Sequence, residues 1–275
     1  MVVLPSKIEE EELDKLLVEI IDQHGYDFTQ YSKASLQRRI NSFYIKGKFN
    51  SYAEFKKKIL HDSYNFNLFV EEITVNVTEM FRDPLFYKTL RNKIIPVLAT
   101  YPFIRIWHAG CSTGEEVYSM AILLKEAGIL HKSLLYATDV NQSVIEKAKK
   151  GIFNNSAMQQ YSENYNNAGG QQDFSSYYSS NYNLAKFDES LTSRMVFSSH
   201  NLVSDTSFNE FQLILCRNVL IYFEKGLQSQ VLQLFDKSLD TLGFLALGSK
   251  ESIKFSAISS NYSLFDKEKI WRKLN

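Results

Sequence analysis

What this chain lacks narrows it first. Two cysteines occur in 275 residues, Cys111 and Cys216, far apart and with no histidine at metal spacing. That excludes a disulfide-stapled scaffold and gives no zinc signature, so a reduced pair and no metal are expected. Basic and acidic residues number 31 each. With no net charge, no overall field draws the chain to nucleic acid or to an anionic membrane. No apolar run approaches the roughly 20 residues of a membrane span. The early acidic stretch Glu9 to Glu12 is unlike the apolar core of a secretory leader. A cytoplasmic globular protein of one or two domains is expected, with 44% hydrophobic and 23% charged residues.

The most informative stretch runs from Arg105 to Tyr118, R-I-W-H-A-G-C-S-T-G-E-E-V-Y. An apolar strand (Ile104, Ile106, Trp107) meets Gly110, and Gly114 follows. Then come Glu115 and Glu116 and a helically spaced segment (Val117, Met120, Ala121, Leu124). A second apolar strand, Leu134 to Thr138, ends in Asp139. This is the opening of a βαβ unit, and an acid at the tip of its second strand is placed to bind ribose hydroxyls. The dinucleotide fingerprint G-x-G-x-x-G is incomplete, because the middle glycine is missing. Two acids at the helix start also repel a pyrophosphate. They suit a ligand carrying an ammonium and a sulfonium, which describes S-adenosylmethionine. The competing reading is that they merely complement the helix dipole.

Residues 1–75 read as a small helical domain. One helix carries Leu13, Leu16, Leu17, Ile20 and Ile21 and stops at Gly25. A second begins near Tyr31 and stops at Gly47, a third opens at the capping box Ser51/Glu54, and a fourth carries Leu68, Phe69 and Ile73. From Lys33 to Lys58 there are eight basic residues and one acid, Glu54. That is either a solvated face or a docking surface for an acidic partner. Residues 76–95 form a linker containing Ile73 to Pro84 motif residues Asn76, Thr78 and Arg82, able to pass over the nucleoside pocket. Residues 96–275 then alternate strands and helices, which implies a parallel doubly wound sheet. Its strands include Arg194 to Phe197, Phe211 to Leu215, Phe244 to Leu247 and a final pair around Leu264 and Ile270. Ligands of such sheets sit beyond the strands' carboxyl ends, where Gly110, Asp139, Asn201 and Asn218 fall. Asn154 to Asn183 interrupts the pattern with seven Asn, six Ser, five Tyr and four Gln but two charges. It reads as a flexible polar insertion too poor in apolar residues to contribute much core.

With these motifs in view, the chain resembles the CheR family of chemotaxis receptor glutamate methyltransferases. The resemblance covers nearly the whole chain. It rests on T-V-N-V-T-E-M-F-R-D-P, I-W-H-A-G-C-S-T-G-E-E-V-Y-S, A-T-D-V-N, N-L, L-C-R-N-V-L-I-Y-F and A-L-G-S-K-E-S, in that order behind a helical domain. It implies an α/β fold: a seven-stranded methyltransferase sheet, a small N-terminal all-helical domain and a small inserted subdomain at about 154–195. It implies S-adenosylmethionine as cofactor and S-adenosylhomocysteine as product. Asn76, Thr78 and Arg82 would contact the cofactor, Glu115 or Glu116 would take its methionine end, and Asp139 would hold its ribose. Asn201 and Leu202 would flank the adenine, and Arg217 and Asn218 would complete the pocket. Tyr222, near the transferring methyl, and Arg82 would be catalytic. The basic surface Lys33 to Lys58 would dock the acidic helical region of a receptor, with no nucleic acid and no membrane insertion. One departure is Ser249, where the family usually has a histidine after the glycine corresponding to Gly248.

The reaction implied is methyl transfer to a glutamate carboxylate, giving a methyl ester. A glutamate with a pKa near 4.3 is already ionised at neutral pH, so no general base is required. Three other readings compete. A methyltransferase acting on RNA or DNA bases would show an Asn/Asp-Pro-Pro-Tyr-type motif where this chain has Arg217-Asn218-Val219-Leu220. A cofactor-binding module without turnover differs only in lacking catalysis. An NAD-dependent oxidoreductase is disfavoured by Glu115, Glu116 and the missing glycine.

Overall fold

A computed structural model of the protein describes residues 7–74 and 77–274. The chain divides into two units. One comprises residues 1–75 with 222–230, and the other residues 76–221 with 231–275.

The first unit contains α1 (Glu10–His24), α2 (Lys33–Lys46), α3 (Tyr52–His61) and α4 (Ser63–Ile73). Its core is aromatic-rich: Phe28, Tyr44, Phe49, Phe55, Phe66 and Phe69 pack with Leu16, Leu17, Ile20 and Ile40. Gly25 closes α1 in the left-handed region at φ 74°, its N–H bonded to the Ile21 carbonyl. Ser51 caps α3 by accepting the Glu54 N–H, while Glu54 reaches back to the N–H of Asn50, one residue outside the usual box. Asp62 caps α4.

The second unit begins with α5 (Pro84–Thr89), a π-helical turn (Leu90–Ile94) and α6 (Ile95–Leu98). Then come β1 (Ile104–Ala109), α7 (Glu115–Glu126), β2 (Ser133–Asp139), α8 (Gln142–Lys150), β3 (Ile152–Asn154), α9 (Met158–Asn167), β4 (Tyr178–Asn181) and β5 (Leu184–Phe187). They are followed by α10 (Glu189–Thr192), β6 (Met195–Ser199), β7 (Phe211–Cys216), α11 (Lys225–Ser238), β8 (Leu239–Leu247), β9 (Tyr262–Asp266) and β10 (Ile270–Lys273). Seven strands form one sheet in the order β6-β2-β1-β7-β8-β10-β9. The first five are parallel, and β10 pairs antiparallel with β8 and β9. The central strands β1 and β7 are buried almost throughout, as continuous apolar runs should be when helices cover both faces. The strand order reverses beside β1, which opens a crevice at the carboxyl edge between β1 and β7. No described helix is long and apolar enough to cross a membrane.

Two expectations are corrected. The polar stretch 154–183 is ordered and contributes core. It forms α9, a 3-10 turn (Phe174–Tyr177) and part of a three-stranded antiparallel sheet, β3-β5-β4. Met158, Tyr161, Tyr165, Phe174 and Tyr177 join the same hydrophobic cluster as Val117, Met120 and Leu135. Five aromatic or long apolar side chains spaced among Asn, Ser and Gln suffice, because each aromatic buries so much surface. The strand expected at Phe244 begins five residues earlier, at Leu239. A left-handed residue, Leu242 (φ 63°), and a register shift between Phe211 and Leu213 interrupt its pairing, which hides its start from an apolar-run reading.

Candidate active site

The carboxyl ends of β6, β2, β1 and β7 lie side by side, and each carries a residue singled out by the sequence. After β1 the chain must turn sharply. Gly110 adopts φ +77°, and a Cβ there would stand 2.5 Å from Val219 Cγ2. Gly114 precedes α7 at φ +96°, with Ala148 only 2.9 Å from where a Cβ would be. No L side chain fits either place without displacement. The loop between them is tied to β2: the Gly110 and Cys111 N–H groups donate to the Thr138 carbonyl, and the Ser112 N–H donates to Asp139 Oδ2 at 2.9 Å. Asp139 Oδ1 accepts the Asn141 N–H at 3.0 Å. Burial raises the pKa of this carboxyl, against the opposing effect of the backbone donors. Each oxygen keeps further acceptor capacity. Asn141 caps α8 as its position before that helix implied.

The two glutamates at the start of α7 point to different surroundings. Glu116 is already neutralised. Its Oε1 lies 2.9 Å from His108 Nδ1 and its Oε2 lies 3.4 Å from Arg217 Nη1. Burial alone would push its pKa up, but His108 and Arg217 together hold it below the ordinary glutamate value. Glu115 has no cationic partner among the described residues. Its carboxylate accepts the Thr113 hydroxyl at 2.7 Å and lies 3.5 Å from the Tyr161 hydroxyl. Burial raises its pKa. A buried carboxylate without a cation is costly, and a cationic ligand relieves that cost.

Arg217 follows β7, and its side chain is 4% exposed. Its Nη2 donates to Asp83 Oδ2 at 2.6 Å and to the Arg82 carbonyl at 3.2 Å, and its guanidinium lies 4.0 Å over the Phe86 ring. Asn218 adopts φ 62° and donates its N–H to Glu251. Thr78 and Arg82 are half-buried, and Arg82 Nη1 donates to the Val77 carbonyl at 3.1 Å. Asn76 lies outside the described residues. Asn201 and Leu202 follow β6 in a turn, not in a strand. Asn201 Oδ1 accepts the Val203 N–H, and the neighbouring His200 N–H donates to the Asp139 carbonyl, which brings the turn to the tip of β2. Tyr222 belongs to the helical unit, where its carbonyl accepts the Ser32 N–H and Arg39 lies 4.7 Å over its ring.

Several side chains that complete the site were missed in the sequence. Glu251 is buried and accepts the N–H groups of Gly248 (2.6 Å), Asn218 (3.0 Å) and Ile221 (3.3 Å), which fixes the loop after β7. It lay within the A-L-G-S-K-E-S motif and was legible there as an acid beside a strand end. His108, Ser119 and Tyr161 carried no local signal, since their partners lie on other elements. Both cysteines are buried, and burial pushes their thiols well up, which disfavours the thiolate.

The residues present fit S-adenosylmethionine. The glycine loop packs closely on Val219 and Ala148 and sets the turn beyond β1, Glu115 is a buried acid without a cation among the described residues, and Asp139 closes the second strand. The Ser112 hydroxyl in the same loop is buried and has no hydrogen-bond partner among the described residues. A doubly wound seven-stranded sheet with this loop, these acids and an aspartate at the tip of β2 is the architecture of an S-adenosylmethionine-dependent methyltransferase. Comparison with known proteins carries the assignment further. Residues 76–268 match the CheR methyltransferase SAM-binding domain, and residues 11–74 match the CheR methyltransferase all-alpha domain. The chain belongs to the CheR methyltransferase family. It is 46% identical over 261 residues to Cher3 of Pseudomonas putida, a protein named as a candidate methyltransferase, covering 94% of this chain and 96% of that one. It is 32% identical to a chemotaxis protein methyltransferase of Listeria monocytogenes, over 83% of this chain and 85% of the relative. With a chemotaxis protein methyltransferase of Borreliella burgdorferi it shares 28% identity, over 91% of each.

Proposed function

We propose that this protein methylates glutamate side chains of a chemoreceptor-type substrate, forming methyl esters. The observation that carries the reading is Glu115: a buried carboxylate at the start of α7 whose partners are two hydroxyls and no cation. It is the acid best suited to hold the ammonium of the cofactor's methionine end, because Glu116 is already engaged by Arg217 and His108. Asp139 holds the ribose, with Asn201 and Leu202 beside the adenine and Asn218 and Thr78 completing the enclosure. Bound S-adenosylmethionine supplies an electrophilic methyl on a sulfonium.

The chain's own contribution is alignment and exclusion of water. Fixing the reacting groups in a productive geometry can supply roughly 7–11 kcal/mol of the barrier. A carboxylate nucleophile arrives ionised, and one ring nitrogen of each nearby histidine is engaged, His108 Nδ1 with Glu116 and His200 Nε2 with the Thr206 carbonyl. That supports an acceptor which needs no base. Arg82, with one backbone contact and free donors, is suited to a carboxylate, whether the cofactor's or the substrate's.

Docking of an acidic helix falls to the helical unit, on a narrower surface than the sequence suggests. Within Lys33 to Lys58, Lys33 pairs with Asp14 and Glu10, Lys46 with Glu72, Lys56 with Glu19 and Lys58 with Glu54. Arg39 bonds the Ile73 carbonyl and covers Tyr222. Arg38, Lys48 and Lys57 are exposed and have no ion pair among the described residues, so they are the residues for the partner. The test is transfer of labelled methyl from S-adenosylmethionine into the source organism's proteins, followed by mild alkali. Label released as methanol supports glutamate esters. Alkali-stable label would overturn the glutamate reading.

A further inference from the structure

Arg82 is flanked by two residues in the left-handed region, Phe81 at φ 51° and Asp83 at φ 61°. A bulky residue such as phenylalanine persists there only where its surroundings over-determine the backbone. Three elements do so. From α9, Asn164 Nδ2 donates to the Met80 carbonyl at 3.0 Å. From α7, the Ser119 hydroxyl accepts the Phe81 N–H at 2.9 Å and donates to the Glu115 carbonyl at 2.7 Å. After β7, Arg217 holds both the Arg82 carbonyl and the Asp83 carboxylate. The segment 80–83 is therefore pinned on each side of the one side chain that points its donors elsewhere.

Both terminal nitrogens of Arg217 are engaged within the protein, while its buried Nε has no hydrogen-bond partner among the described residues. One nitrogen serves Asp83 and the Arg82 carbonyl, another faces Glu116, and the plane of the guanidinium covers Phe86. Glu116 is in turn held by His108. Asp83, Arg217, Glu116 and His108 form one chain of charge running from the linker to the buried face of β1.

We propose that Arg217 is a positioning residue: through Asp83 and the Arg82 carbonyl it sets Arg82 against the cofactor, and Glu116 and His108 hold Arg217 in place. The proposal rests on the reading that Arg82 contacts the cofactor. It makes Asp83, which is 46% exposed and needed for no contact of its own, a determinant of cofactor affinity. It also gives the fork of Arg217 a purpose that a lysine cannot serve, since an ammonium presents a point charge in place of paired planar donors.

The experiment is calorimetric titration of the full chain with S-adenosylhomocysteine, for the wild type, Asp83→Asn, Asp83→Glu, Arg217→Lys and the Asp83→Asn/Arg217→Lys double variant. Asp83→Asn is expected to weaken binding about five- to tenfold, within the range of coupling seen for residues in one ion-pair network. Asp83→Glu restores most of that affinity. The double variant binds no worse than Arg217→Lys alone, because both changes release the same segment. Trypsin cleaves after Arg82 faster in Asp83→Asn than in the wild type, while its melting temperature stays close to wild type. Unchanged affinity in Asp83→Asn, or losses that simply multiply in the double variant, would overturn the proposal and leave Arg217 as a direct contact. A wild type that binds no S-adenosylhomocysteine would instead overturn the reading beneath it.

Discussion

Residues 104–139 and residues 152–187 build the same hydrophobic core from opposite compositions. The first stretch does so with aliphatic side chains at strand and helix period: Ile104, Ile106, Val117, Met120, Ile122, Leu124 and Leu135. The second uses rings set among polar residues: Phe153, Tyr161, Tyr165, Phe174, Tyr177 and Phe187. Each ring brings roughly 150–250 Å² of burial, so a few replace many aliphatics. Their hydroxyls then need partners, and Glu126 supplies most of them. It accepts the hydroxyls of Tyr165 and Tyr177 and the Gln171 N–H, and it pairs with Arg91 at 2.6 Å. A stretch poor in aliphatics is thus built around one buried carboxylate, whereas the βαβ half needs no such centre for its packing.

The sharpest way to break this comparison is to remove that centre. Glu126→Ala leaves Arg91, whose side chain is 11% exposed, without its ion pair, and the Tyr165 and Tyr177 hydroxyls with only each other as acceptors, 3.5 Å apart. Removal of one partner of a buried pair costs about 3–5 kcal/mol. Urea denaturation should show that loss, with the insertion becoming accessible to protease ahead of the sheet. A loss near zero would mean that the rings hold the insertion without Glu126.

The same contrast explains what the sequence made legible. The glycine turn, the acids of α7, Asp139 and the Asn141 cap were readable because each is local: strand, turn and helix follow within a few residues, and apolar period marks them. The insertion was not, because its rings are spaced among polar residues and its organising acid, Glu126, lies on α7, about 40 residues away. Glu116 and Arg217 were singled out as ligand contacts, and no local pattern could show that they face each other across 101 residues. In the helical unit, the basic run looked free because the acids that neutralise Lys33, Lys46 and Lys56 come from α1 and α4. Pairings at long sequence separation are set by tertiary packing, and composition does not report them.

Adjacent glutamates in the legible half give the next largest effect, with opposite signs. Glu116 has a depressed folded pKa, so its stabilisation is present above the unfolded value of about 4.3 and is lost as pH falls through the lower folded value. Glu116→Gln should therefore destabilise the protein at pH 7 by about 1–3 kcal/mol, the cost of weakening a charged partner of a buried donor. Glu115 has a raised folded pKa. Its contribution is fully present below about pH 4.3 and is lost as pH rises through the raised folded value. Glu115→Gln should leave the cofactor-free protein more stable than wild type at pH 7 while weakening cofactor binding about tenfold or more, as loss of a charged hydrogen-bond partner does. Thermal melts at pH 5 and pH 7, with and without S-adenosylhomocysteine, separate the two. Destabilisation of the cofactor-free protein by Glu115→Gln would mean that its carboxylate serves packing, not a cation.

The smallest expected effect sharpens the comparison most finely. Tyr165→Phe keeps the ring, and with it the edge-to-face contact with Phe81 and the tilted contact with Phe174, at 5.2 and 5.3 Å between centroids. It removes only the hydroxyl that donates to Glu126 and accepts the Gln171 and Gln172 N–H groups. Glu126 keeps Tyr177 and Arg91, and the two backbone donors lie at the edge of the insertion, within reach of water. A net loss of about 1 kcal/mol is expected, the usual worth of a hydrogen bond whose partners are otherwise served. If the loss matches that of Glu126→Ala, the tyrosine hydroxyl and the carboxylate act as a single unit, and the rings alone do not hold the insertion. A loss near 1 kcal/mol, set against the larger value for Glu126→Ala, would assign most of the stabilisation to the Arg91–Glu126 pair and the remainder to ring burial. In that case the buried ion pair, more than the tyrosine hydroxyl, holds the insertion together.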